Sequence, residues 1–304
     1  MRHRDERIWV SAHLFYAQDR NKLLTKCIAP FIRDMMIEDT LENYFFVRYS
    51  ESGPHIRLRL ATSPVNEDHY REELMKRFQD FSKLHPSKIE RITPVDEHSL
   101  ADNSLHFVAY IPELARYGDE KTIGFAEAQF ASSSKAVLKT LMKAAPNWNT
   151  ASELILALKM HLAFFSSLGF DIQSIIKICK YFVDQWLPKL YDPTKLIHHE
   201  RHQLLSKFED RFKAYQDEIL PAICDYHYGI LNDGYLKDPL MNDYYLEGKQ
   251  MMLSYESANF NLSNEPEIVT SFIHMTHNRI GIVNYDEAYI IYLLYRCLES
   301  IKFL

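Results

Sequence analysis

The chain has 304 residues, 47% hydrophobic and 25% charged, with a formal net charge of −6, enough to bury a sizeable core as one large domain or about two ordinary ones. The acidic balance argues against a global pull on nucleic acid, and eight glycines with neither GxGxxG nor a P-loop pattern leave little for a nucleotide-binding loop. Four scattered cysteines (Cys27, Cys179, Cys224, Cys297) without a CxxC pair speak against a zinc ribbon or a disulfide framework, and no apolar run reaches signal-peptide or membrane-spanning length, so the expected compartment is the cytoplasm, with no membrane span.

Ile8 to Tyr16 is rich in β-branched and aromatic residues and reads as a strand. Asp19 can cap the helix that follows, whose stripe runs through Leu23, Leu24, Cys27, Ile28, Phe31, Ile32 and Met35. Pro30 lies inside that stripe and should kink or split the helix. Tyr44 to Tyr49 and His55 to Leu60, joined by Ser50-Glu51-Ser52-Gly53-Pro54, read as a β-hairpin. Asn66 to about Leu84 is helical. Ile89 to Val95 and Leu105 to Ile111 are further strands around a polar loop. The order strand, helix, strand, strand, helix, strand predicts a ferredoxin-like unit over about residues 1–120.

From about Lys121 the pattern is helical: Ile123 to Ala145, Ala151 to Leu168, Ile172 to Lys189, His199 to Ile219, Glu265 to His277 and Asp286 to Phe303. Asp233 to Glu247 reads as polar and turn-rich. The fold class is therefore α+β, a ferredoxin-like antiparallel sheet region packed with a mainly helical part over 121–304 as one compact body. The 19 tyrosines and 18 phenylalanines suit an aromatic-lined groove or a large mixed core equally well.

The hairpin strand His55-Ile56-Arg57-Leu58-Arg59-Leu60 carries the most chemistry. Alternation sends Ile56, Leu58 and Leu60 into a core and sets His55, Arg57 and Arg59 together on the opposite face. Arginine forks on one face suit a carboxylate or phosphate; an ordinary solvated sheet face would look the same. In Tyr110 to Gly118, Arg116 can pair with Glu113 three residues away or extend the cationic face. In Ser271 to Arg279, His274 and Asn278 share a helical face, so His274 can be a tuned acid or base or a satisfied structural histidine. His198-His199-Glu200-Arg201-His202 is not HExxH and reads as a solvated helix start rather than a metal site. Neither GxSxG nor a cysteine in a catalytic context supports nucleophilic catalysis. No cofactor is called for.

Trp9 on the first strand, then YFFVRYSESGPHIRLRL, YIPELARYGDEKTIGFAEAQF and HMTHNR, taken together, resemble the lantibiotic dehydratase C-terminal domain, also called the thiopeptide-type bacteriocin biosynthesis domain, in order and over nearly the whole chain. Two positions depart from the pattern: Asp119 stands where a second glycine of RYGG is usual, and Ser133 where an Asp is common. The resemblance implies a stand-alone enzyme acting on a precursor peptide beside a separate tRNA-dependent glutamylation protein. It removes glutamate from glutamylated Ser or Thr to leave a dehydroamino acid. Under that reading Arg57, Arg59 and Arg116 take the anion tasks and His274 the proton task, while His55, Arg48, Tyr117, Asn278 and Arg279 help to bind or orient. The same family resemblance admits a formal [4+2] cycloaddition that builds a pyridine, and a non-catalytic peptide-binding component.

Overall fold

The computed structural model describes residues 7–88, 100–144 and 147–301. Its contacts divide the chain into two units, residues 1–112 with 133–147, and residues 113–132 with 148–304.

The first unit is built on a four-stranded antiparallel sheet of order β2-β3-β1-β4, from β1 (Ile8–Phe15), β2 (Leu41–Tyr49), β3 (His55–Thr62) and β4 (Ser104–Phe107). With its intervening helices this is the expected ferredoxin-like order. Asp19 caps the first helix by accepting from the Lys22 backbone N–H at 3.1 Å. Pro30 leaves its mark one turn upstream: α1 (Arg20–Leu23) passes through a π-helical turn (Leu24–Ile28) into α2 (Ala29–Ile37). A proline cannot donate to the carbonyl four residues back, and a wider turn accommodates the missing bond. α3 (Glu67–Leu84) buries Tyr70, Leu74, Phe78 and Phe81 on one stripe, and its Tyr70 ring meets Phe31 of α2 at 5.9 Å. The strand expected over Ile89 to Val95 lies outside the described residues. The strand expected from Leu105 to Ile111 stops at Phe107, because Val108 and Ile111 are exposed and Pro112 follows.

The second unit is helical. Its elements are α4 (Leu114–Tyr117), the first half of α5 (Ile123–Ala144), α6 (Thr150–Ser167), α7 (Ile172–Trp186), α8 (Ile197–Asp233), α9 (Pro239–Ser257), α10 (Pro266–Ile280) and α11 (Tyr285–Ile301). Two of them differ from expectation. α8 continues through Pro221 instead of ending at Ile219, because one buried stripe, Phe208, Phe212, Ile223, His227 and Ile230, runs along both sides of the proline. That burial offsets a cost of about 3 kcal/mol for an interior proline. The stretch 233–247, read as turn-rich, contains the start of α9. Asp238 caps it by accepting from Leu240 N at 3.0 Å, and Pro239 opens it.

Gly248 in α9 packs directly against Ser167 of α6. A Cβ there would lie 2.3 Å from Ser167 Oγ and 2.9 Å from Ser167 Cβ. On an isolated helix Gly→Ala stabilises by about 1 kcal/mol. Here Gly248→Ala is expected to destabilise by about 1–2 kcal/mol through overpacking, and Ser167→Gly in the same chain to recover most of the loss. Urea unfolding of the single and double variants reads both effects.

Candidate functional site

The sheet unit places His55, Arg57 and Arg59 on one face, as alternation requires. Register fixes their neighbours: Phe15 and Tyr49 flank His55, His13 and Val47 flank Arg57, and Ser11 and Phe45 flank Arg59. The face is far from the solvated surface a half-exposed sheet would show. His55 is 1% exposed and Arg59 8%.

Arg59 is the unusual group. Its guanidinium reaches the Leu58 carbonyl at 3.2 Å and His13 Nε2 at 3.3 Å, and its Nε has no partner. Among the described residues no carboxylate lies within ion-pairing distance of it. Burial, with Arg57 close by, lowers its pKa to about 10. Burial and the cations Arg59 and Arg57 also push His13 down to about 3, so His13 stays neutral beside them. Arg57 stacks over Tyr49 at 3.3 Å, donates to His55 Nε2 at 3.2 Å and reaches the exposed Glu51 only at 4.0 Å. His55 donates its Nδ1–H to the Gly53 carbonyl, 2.7 Å away, which leaves Nε2 to accept from Arg57. Trp9, Phe45 and Tyr110 form an aromatic cluster, and Arg59 lies 5.5 Å from the Tyr110 ring. A buried cation without a counter-charge, beside aromatic faces, is suited to an anionic group on an organic ligand.

Arg48 does not join this face. It pairs with Ile56, so its side chain lies on the opposite side of the sheet, where it donates to Asn21 Oδ1 at 2.6 Å. Its placement fits a structural tie between β2 and α1.

The helical unit assembles the other candidates. Arg116 Nε donates to Ser271 Oγ at 2.7 Å, and Ser271 Oγ donates to Tyr117 Oη at 2.9 Å. Arg116 also makes the local pair with Glu113, at 3.1 Å and well exposed. Tyr117 is buried between Phe130 and Phe272, and burial raises its pKa. His274, partly exposed on α10, has Nδ1 2.7 Å from Glu287 Oε2 and its ring 5.1 Å from Trp186. Lys189 sits 3.3 Å over the same Trp186 ring, and burial lowers its pKa. Asn278 is half-buried on the His274 side of α10. Arg279 is 1% exposed and turned inward, donating to the Met275 carbonyl at 2.9 Å.

The departure at position 119 has a local use. Asp119 accepts from the backbone N–H groups of Lys121 (2.8 Å) and Thr122 (3.0 Å) at the start of α5, bonds that hold its carboxyl below the usual range. Gly118 before it is indispensable: its φ is +121°, and a Cβ would meet Thr122 Oγ1 at 2.1 Å. Ser133, the second departure, is buried on α5.

Sequence reasoning missed Glu287, His277, His161 and Lys189. Glu287, 3% exposed, sits on the buried stripe of α11 with Ile290, Ile291 and Leu294. An acid at an apolar position was the available signal. Elsewhere, His198, His199 and His202 are exposed, and among the described residues no cluster could hold a metal ion. Burial pushes the Cys27 and Cys297 thiols up to about 12, away from nucleophilic use. A cavity of 660 Å³ is lined by α6, α8 and α11, including Ile155, Arg211, Tyr215, Tyr226 and Tyr289, and contains none of the candidate residues.

Among the described residues, no helix is long and apolar enough to cross a membrane. The family model described as "Lantibiotic biosynthesis dehydratase C-term" matches residues 9–298. The nisin biosynthesis protein NisB of Lactococcus lactis subsp. lactis is 24% identical over 302 residues, covering 97% of this chain and 26% of NisB, so the chain spans about a quarter of that relative's length. Among solved structures, the pyridine synthase TbtD from thiomuracin biosynthesis has a TM-score of 0.77 at 12% identity, covering 97% of this chain and 99% of TbtD. The tRNA-dependent lantibiotic dehydratase MibB from Microbispora sp. 107891 has a TM-score of 0.57 at 16% identity, covering 97% of this chain and 28% of MibB. At these identities the structural likenesses establish the fold.

Proposed function

Because the chain belongs to the lantibiotic biosynthesis dehydratase C-terminal family, we propose that it is a lyase that removes glutamate from glutamylated Ser or Thr of a precursor peptide. The observation that carries this reading is Arg59, a buried arginine with an unpartnered Nε and no carboxylate partner among the described residues. A site that expels a carboxylate needs such a cation. In the reaction a base takes the Cα proton, the Cα=Cβ bond forms, and the Cβ–O bond breaks with its electron pair leaving on glutamate. His274 is assigned the proton. Arg57, Arg59 and Arg116 are assigned the departing carboxylates and the enolate-like oxygen. His55 and Tyr117 support these groups through the contacts described. The glutamylated peptide would come from a separate tRNA-dependent glutamylating partner, a division of labour suggested by the tRNA dependence of MibB, of which this chain matches only 28%.

Incubating the chain with a glutamylated peptide and following mass tests the reading directly. Loss of glutamate is expected with wild type, and a fall of at least ~100-fold with Arg57→Ala or His274→Ala. Unchanged turnover in both variants would remove these residues from the mechanism. The TbtD likeness supplies a second reading, pyridine formation by formal [4+2] cycloaddition. Inertness toward the glutamylated peptide, with cyclisation of a bis-dehydroalanine peptide, would replace the first reading by the second. Binding of peptide without either reaction would leave a scaffold role.

A further inference from the structure

Four titratable side chains of the helical unit form one file, of which the elimination reading uses only the outermost. His161 Nε2 on α6 lies 2.8 Å from His277 Nε2 on α10, with the rings at 82°. His277 Nδ1 lies 3.5 Å from Glu287 Oε2 on α11, an electrostatic contact, and His274 Nδ1 lies 2.7 Å from the same oxygen. The other oxygen of Glu287 accepts the Asn284 backbone N–H at 3.1 Å. His161, His277 and Glu287 are 1%, 0% and 3% exposed, whereas the His274 side chain is 29% exposed.

The positions of the protons follow from what each group can donate. Burial works against an ionised Glu287, but the contacts from His274 and His277 outweigh it and hold the carboxyl at about 2. An ionised carboxylate has only lone pairs, so the ring nitrogens that face it carry hydrogen: Nδ1–H of His274 and Nδ1–H of His277. Neutral His277 then presents a lone pair at Nε2, and His161 donates its Nε2–H across 2.8 Å. His274 meets Glu287 in a hydrogen bond, whereas His277 Nδ1, at 3.5 Å, forms none and acts on the carboxylate only through its charge distribution. Neutral His274 is left with its lone pair on Nε2.

We propose that Glu287 is the positioning residue that makes His274 the base, fixing its Nδ1–H tautomer while the His161–His277 pair holds the carboxylate in place. The proposal rests on the elimination reading for its choice of reaction. When His274 Nε2 takes the Cα proton, the new positive charge forms 2.7 Å from a carboxylate that is already ionised, and the proton stays on His274. Arg116 on α4 and Lys189 after α7 oppose that charge. His277 on the same helix stays neutral, and Trp186 on α7 is uncharged. Glu287 is the anion that offsets the two cations. As packing alone, an acid among Ile290, Ile291 and Leu294 costs more than an apolar side chain would.

The test uses the full chain labelled with 15N at histidine. Long-range 1H–15N spectra at pH 8 should show His274 protonated at Nδ1 and bare at Nε2, with its signals assigned by their loss in His274→Gln. Glu287→Gln, whose amide can donate to Nδ1, should move His274 to the Nε2–H tautomer. It should also lower kcat roughly 100-fold with KM within about threefold, and shift the acid limb of the pH–rate profile to lower pH. Glu287→Asp, which keeps the charge, should recover part of kcat. A wild-type His274 protonated at Nε2 overturns the proposal without recourse to any Glu287 variant, even if Glu287→Gln fails to fold. So does a folded Glu287→Gln with unaltered tautomer and kcat. The expected tautomer in a chain that releases no glutamate sinks the elimination reading and leaves the positioning role standing.

Discussion

Arg59→Met is expected to lose activity on the order of 100- to 1,000-fold in kcat/KM while unfolding at the same temperature as wild type or higher. The two halves of that result come from one geometry. Arg59 is buried, its Nε is unpartnered, and it has no carboxylate neighbour among the described residues. A buried charge with no counter-ion costs free energy, and the strong field that makes it costly is what an incoming anion would feel. Methionine has similar length, keeps the contact with Phe45 and Tyr110, and removes the charge. Arg59→Lys separates charge from shape: it keeps a cation but loses the planar fork, and should retain an intermediate rate. Thermal melts beside a glutamate-release assay read both. A melting temperature that drops by ten degrees or more in Arg59→Met would show that the guanidinium holds the sheet together, and its anion role would fall.

The second large effect is on stability against acid. Burial holds His161 well below the ordinary histidine value, and His277 is lowered as well. Both are neutral in the fold, whereas in the unfolded chain each titrates near 6.5. The unfolded state therefore binds more protons at acid pH. The stability contributed by each histidine is fully present above about pH 6.5 and is lost as pH falls below it. Each such histidine makes stability fall with pH once the unfolded chain begins to bind its proton, and His161, the more deeply lowered of the pair, sustains that fall furthest. His13, His55 and His227 are lowered too and add in the same direction. Glu287 brings a separate loss. Its carboxyl is depressed from 4.5 to about 2, so its stabilisation is present above about pH 4.5 and disappears as pH falls toward 2. Melting temperatures from pH 8 to 4 should fall steeply below 6.5, and His161→Leu should flatten the slope between 7 and 5. A melting temperature constant from pH 7.5 to 5 would contradict the neutral burial of this pair.

Much of the sheet was legible because alternation and turn chemistry are local. The hairpin, the β3 face and the ferredoxin-like order needed only period two and a Gly-Pro turn. The same alternation, continued around the hairpin, would have separated Arg48 from Arg57, since pairing Tyr49 with His55 puts Arg48 opposite Ile56. Motif proximity grouped them instead. Among the helices, α9 escaped notice because its buried stripe is made of Met and Tyr: Met241, Tyr244, Tyr245, Met251, Met252 and Tyr255. Polar neighbours such as Asn242 and Asp243 diluted it. α8 ran past Pro221 because tertiary burial outweighed a local breaker. The file behind His274 could not be read in advance. His161 and His277 are 116 residues apart in sequence, and only the packing of α6, α10 and α11 brings them into line with Glu287. What the sequence did offer was weaker, a histidine and an acid at positions where the helix stripe called for apolar side chains.

The glycine-to-aspartate exchange at position 119 separates two kinds of requirement that a motif prints as identical letters. Gly118 answers to geometry, since its φ lies in the left-handed region and the space beside it is filled by Thr122. Position 119 is not in that region, and there a side chain is free to act as a helix cap. The first glycine is a constraint on the backbone; the second is a degree of freedom. Sequences sorted by what the turn demands would group under RYG followed by a capping residue as readily as under RYGG. The departure then distinguishes members by how they begin one helix and leaves the arginine before it untouched.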